Sequence, residues 1–124
     1  MRFFICKVCG NLTTLVEEKG GQLACCGQNM TELIPGEVEA AVEKHIPVIS
    51  VDGKQVTVTV GEVEHPMLPE HYIKWVALET KEGTQLKYLE PGQKPKAVFA
   101  LSESDEVIAA YAYCNLHGLW KKMM

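Results

Sequence analysis

The sequence lacks any run of lysine or arginine, and with 12 basic against 16 acidic residues it carries a net charge of -4. A basic footprint for phosphate backbones is therefore missing, and DNA and RNA are set aside as partners. No apolar stretch approaches the roughly 20 residues that cross a bilayer. Met1-Arg2-Phe3-Phe4-Ile5 runs directly into Cys6 and Lys7, with no apolar leader core. The expectation is a cytoplasmic protein that does not engage a membrane. A convincing amphipathic helix is absent too, which points away from α-helical folds. An even cysteine count is also lacking: five thiols cannot all pair within one chain, and in a reducing compartment they read as metal ligands before disulfides. What is present, 124 residues of which 47% are hydrophobic, suffices for one globular domain, or for one domain plus a small appendage.

Four of the cysteines lie in the first 35 residues. Cys6-Lys7-Val8-Cys9-Gly10 is a Cys-x-x-Cys turn closed by glycine, and fifteen residues separate Cys9 from Cys25-Cys26-Gly27. Two such turns aim backbone N–H groups at sulfur and present four thiolates as a tetrahedron, a set that suits zinc or a single iron. A segment this short needs a metal to replace the core it lacks. Side chains of the adjacent pair Cys25-Cys26 should diverge, so a distorted tetrahedron is expected. Residues Met30 to Glu37, with Pro35 and Gly36, read as a linker. The domains are placed at 1–35 and 36–124.

The rest reads as β-structure. Strands are expected at Val38–Val42, Pro47–Val51, Gln55–Val60, Tyr72–Thr80, Gln85–Leu89, Ala97–Leu101 and Val107–Cys114. Val56, Val58 and Val60 alternate with Thr57 and Thr59, the period of a half-buried strand. Asp52-Gly53 marks a hairpin, and Lys81-Glu82-Gly83-Thr84 a weaker one. Ser104–Tyr113 could instead open a helix from a serine cap, but is read as strand. Seven short strands with turns about every ten residues indicate an immunoglobulin-like antiparallel β-sandwich.

The fifth cysteine and the four histidines fall on this scaffold in a pattern. Cys114-Asn115-Leu116-His117 ends the last long strand and forms half a metal site. His45 precedes the strand at Pro47, and His65 and His71 flank the turn Pro66-Met67-Leu68-Pro69-Glu70. All sit at strand ends or in loops, where functional side chains gather on a rigid frame. Four nitrogens and one sulfur from separate segments can converge on one ion.

Glu43-Lys44-His45-x-Pro47-Val48, then Gly61-x-x-x-His65-Pro66-Met67 through His71-Tyr72-Ile73-x-Trp75, then Cys114-Asn115-x-His117-Gly118-x-Trp120, preceded by Cys6-x-x-Cys9 and Cys25-Cys26-Gly27, resemble desulfoferrodoxin, the two-iron class of superoxide reductase, over essentially the whole chain. The resemblance implies a rubredoxin-like iron on Cys6, Cys9, Cys25 and Cys26. It implies a catalytic iron on His45, His65, His71, His117 and Cys114 with its sixth position open. The implied reaction is one-electron reduction of superoxide to hydrogen peroxide without dioxygen, the electron being restored by a donor such as rubredoxin. It further implies that Lys44 steers the anion and orders a proton-donating water, that Glu43 binds the ferric ion after product leaves, and that the protein is a homodimer. Neighbouring residues of a strand point to opposite faces, so Glu43 and Lys44 could both reach one ion only from a mobile loop.

Two other readings compete. A cupredoxin-like electron carrier also has Cys and His near its C-terminus, with Met123 available, but leaves His65 and His71 without a role. A zinc-stabilised binding module would make both metal sites structural, and metal content separates the three.

Overall fold

The computed structural model describes residues 1–124, and the chain divides into two units, Met1–Ile34 and Pro35–Met124. The first contains β1 (Phe3–Ile5), β2 (Leu12–Thr14), β3 (Ala24–Cys25), β4 (Gln28–Asn29) and β5 (Thr31–Leu33). Strands β2, β1 and β5 form an antiparallel sheet with β1 central. The β3–β4 hairpin turns through Cys26 and Gly27, whose φ of 54° and 76° are both positive, as a two-residue hairpin turn requires. Only Phe3 and Cys6 are buried in this unit, too little apolar burial to hold a fold unaided. The expected linker from Met30 is corrected here: Thr31–Leu33 pairs with β1, Phe4 opposite Glu32, so the chain stays in the first unit through Leu33.

The second unit holds one helical turn, α1 (Val42–His45), and seven strands: β6 (Pro47–Asp52), β7 (Gln55–Val60), β8 (Ile73–Thr80), β9 (Gly83–Tyr88), β10 (Lys96–Ala100), β11 (Val107–Cys114) and β12 (Gly118–Met123). They form two antiparallel sheets, β10-β7-β6 and β12-β11-β8-β9. The first, second and fifth strands share one sheet, and the third, sixth and seventh the other, as in an immunoglobulin-type sandwich. The fourth strand pairs with the third, not the fifth, unlike the constant-domain arrangement. The core between the sheets is formed by Val56, Val58, Val60, Ile73, Val76, Leu78, Phe99, Ala110, Ala112 and their neighbours. The alternation read in β7 is observed: its three valines are fully buried and its threonines half-buried.

One expected strand is absent and one strand was not expected. Residues 38–41 form no strand, and Val42 opens α1 directly ahead of the edge strand β6. Gly118–Met123 is a strand that Lys121 and Lys122 concealed by breaking the alternation; as an edge strand beside β11 it tolerates both. The stretch that could have opened a helix is strand β11. Its Ala109 through Ala112 are all fully buried, so the run reads as continuously apolar. No helix is long and apolar enough to cross a membrane.

Candidate metal centres

In the first unit the sulfurs of Cys6, Cys9, Cys25 and Cys26 lie within 4.8 Å of one another. The left-handed backbone at Cys26 turns what would be diverging strand neighbours toward a common point, with Cys25 and Cys26 sulfurs 3.9 Å apart. In the other turn, Cys9 N–H donates to the Cys6 sulfur and Asn11 N–H to the Cys9 sulfur, each at 3.5 Å. The backbone N–H groups of Cys9 and Val8 pull the Cys6 thiol down to about 6, whereas the thiols of Cys9, Cys25 and Cys6 push Cys26 up to about 12. Four sulfurs this close can all ionise only around a cation, and so the set fits a thiolate-binding metal.

The second constellation belongs to the sandwich. Ring centroids of His45 and His65, His65 and His71, His71 and His117, and His117 and His45 are 4.6, 4.7, 5.1 and 5.0 Å apart, each pair turned by 79° to 86°. The diagonal pair His45 and His71 is 6.5 Å apart and tilted by only 29°. The four imidazoles thus make a square, edge to face around its sides. Donor atoms of His45, His65, His71 and Cys114 lie within 4.8 Å of one another. His117 joins them, its Nδ1 being 3.2 Å from His45 Nε2 and 3.9 Å from Cys114 Sγ. The Cys114 sulfur is thus near all four corners of the square.

Which nitrogen each ring turns inward follows from its other bond. His45 Nδ1 donates to Ala41 O and His65 Nδ1 to Pro66 O, both at 2.7 Å. A carbonyl can only accept, so in each ring Nε2 bears the lone pair. Those two lone pairs nevertheless face each other at 3.1 Å, and His71 Nε2 is buried with no partner at all. Such groups demand an electrophile between them. Burial holds His65 down at about 4 and lowers His45 and His71 as well, so the rings are neutral and ready to ligate. Burial raises Cys114, opposed by the N–H groups of Leu116 and His117.

Family models match both units: "Desulfoferrodoxin, N-terminal domain" over residues 1–33 and "Desulfoferrodoxin" over residues 37–123. A desulfoferrodoxin homolog from Archaeoglobus fulgidus is 45% identical, the match covering 98% of this chain and 95% of that protein. The chain belongs to the desulfoferrodoxin family. Among solved structures, the superoxide reductase from Treponema pallidum matches with a TM-score of 0.82 at 45% identity, covering 97% of this chain and 96% of that one. A one-iron superoxide reductase from Giardia intestinalis matches with a TM-score of 0.57 at 36% identity, covering 66% of this chain and 97% of that one.

Within this chain the motif residues arrive by different routes. Cys114 and His117 sit at the two sides of the β11–β12 hairpin loop, where Cys114 pairs with Gly118 in the left-handed conformation. His71 is fixed by reciprocal bonds with Leu68, 2.9 and 3.0 Å, around the Pro69-Glu70 turn. His45 closes α1, and its ring lies 4.9 Å from that of Trp120, whose indole N–H donates to His117 O. Lys44 is exposed, and its charge is felt at both His45 and His71. Glu43 instead lines a cleft of about 510 Å³ with Val42, Ile46, Pro47, Val48, Glu62 and Lys122. The two neighbours lie on a helical turn, where successive side chains are about 100° apart, and not on a strand with opposite faces. Gly61 and Asn115 stand in the motif quoted above, but the sequence assigned neither of them a role. A β-carbon on Gly61 would stand 2.6 Å from Glu43 O, a close approach that glycine before the His65 loop could have signalled.

Proposed function

We propose that this protein is a superoxide reductase with two non-heme irons, one on Cys6, Cys9, Cys25 and Cys26, the other on His45, His65, His71, His117 and Cys114. The observation that carries the reading is the square of four imidazoles with the thiol of Cys114 beside it, the Nε2 lone pairs of His45 and His65 facing each other and His71 Nε2 buried without a partner. Iron held there supplies one electron to superoxide, which with two protons becomes hydrogen peroxide. The carbonyls of Ala41 and Pro66 hold two rings in the ligating tautomer, and Leu116 and His117 N–H groups stabilise the thiolate of Cys114. Lys44 attracts the anion to a protein whose net charge is negative, and orders the water that delivers a proton. Glu43, in the cleft beside α1, would be the carboxylate available to the iron once product has left.

The cupredoxin-like alternative gains no support, since it leaves His65 and His71 idle whereas both are corners of the square. A donor such as rubredoxin restores the electron. Five free thiols agree with a reducing, cytoplasmic setting, and the free edges of both sheets agree with a homodimer.

The test combines metal analysis with product stoichiometry. Two irons per chain are expected, with one peroxide formed per superoxide consumed by the reduced protein and no dioxygen. Lys44→Ile should retain iron while its bimolecular rate falls by about tenfold or more at low ionic strength. Zinc at both sites, or dioxygen among the products, overturns the assignment.

A further inference from the structure

We propose that Asn115 is a positioning residue, locking the segment that carries His71 onto the loop that carries Cys114 and His117. Three hydrogen bonds make the lock. Asn115 Oδ1 accepts from Tyr72 N–H at 2.9 Å, Asn115 Nδ2 donates to Glu70 O at 3.0 Å, and Asn115 N–H donates to Tyr72 O at 3.2 Å. The carboxamide uses its acceptor on one side of His71 and its donor on the other, so it brackets that residue in the chain. Its own backbone directly follows Cys114.

His71's own backbone bonds are the reciprocal pair with Leu68, which close a turn, and the loop is held further back by Gly92 N–H, which donates to Met67 O at 2.9 Å; the His71 Nε2 has no protein partner. Regular pairing gives out at the same place, where the β8–β11 register shifts between Tyr113 and Cys114. The side chain of Asn115 therefore does for these two loops what ladder bonds do further along the strands. Only an amide has one acceptor and one donor group in this fork. Aspartate keeps the bond from Tyr72 but turns an anion toward the carbonyl of Glu70.

The reading rests on the five side chains forming one metal site, and not on the reaction performed there. Cobalt(II) titration of the full-length apoprotein tests it, with the four-thiolate site, distinguishable by its absorption bands, as internal control. In Asn115→Asp and Asn115→Ala, affinity at the histidine–cysteine site should fall by about tenfold or more, the usual consequence of losing an outer-shell partner. The cobalt ligand-field bands of that site should shift, and the four-thiolate site should be unchanged. Thr80→Val supplies the comparison for mere loss of stability. It removes a side-chain bond to Gly83 O at the far end of β8, about 23 Å along the strand at roughly 3.3 Å per residue, and should leave cobalt affinity intact. Wild-type affinity and spectra in both Asn115 variants would overturn the positioning role, as would an equal loss in Thr80→Val. Wild-type protein that binds cobalt only at the four thiolates would overturn the shared site itself.

Discussion

At the scale of single residues, the metal-binding chemistry is a matter of which atom carries a proton. The imidazoles of His45, His65 and His71 are all pushed toward the neutral form, first by burial, with His65 held at about 4. The sign of the consequence follows. Between about pH 4 and the ordinary histidine range near 6.5, the unfolded chain binds more protons than the folded one, so stability rises with pH there and is lost as pH falls. Metal-free protein should thus lose stability on acidification from pH 7 to 4.5, and loaded protein should release metal over the same interval, since protons and metal compete for one lone pair. Urea midpoints at several pH values check the first, and a chromophoric chelator checks the second. A flat midpoint across that window would contradict the buried, neutral rings. The histidines and cysteines were legible because their spacing carries the chemistry. Asn115 was not, because its partners lie 43 and 45 positions away, and no local pattern encodes a bond of that separation.

Elements determine whether those residues meet. The strands that were read correctly, β7 and β11 among them, display burial in their own side chains, and period two or a solid apolar run is visible without neighbours. Turn α1 has four residues, too few for a helical period, and β12 hides behind two lysines. Both escaped because tertiary context determines them. The seat of α1 makes a prediction at this scale. Val63 N–H holds Glu43 O at 3.0 Å, and a methyl on Gly61 would press on Glu43 O, Ile46 O and the carbonyl carbon of Lys44 at 2.6 to 3.0 Å. Gly61→Ala should displace the turn and cost about 1 to 3 kcal/mol through overpacking. It should also lower iron occupancy at the histidine site, because His45 moves with the turn. Chemical denaturation and metal analysis decide it, and a variant with wild-type midpoint and iron content would show that the turn yields freely.

Over the whole molecule, the two units depend on their metals to unequal degrees. The first has two buried side chains and four clustered thiols, while the second has a continuous core between two sheets. Cys9→Ser should therefore collapse the amide NMR dispersion of residues 1–34 and leave that of 35–124 in place, since a structural metal supplies folding free energy outright where the core cannot. Loss of dispersion throughout would show that the sandwich leans on the smaller unit.

The square of imidazoles has a bearing on which ions each centre admits. Its corners are set by hairpins, carbonyl tethers and packed sheets, and an ion held there would meet four nitrogens and a sulfur, five donors in all. Zinc, which favours four ligands in a tetrahedron, fits that outline poorly, whereas the four clustered thiols of the small unit would hold it as readily as iron. Under zinc excess, then, mismetallation should fall on the cysteine cluster, and the histidine centre should stay true to its metal.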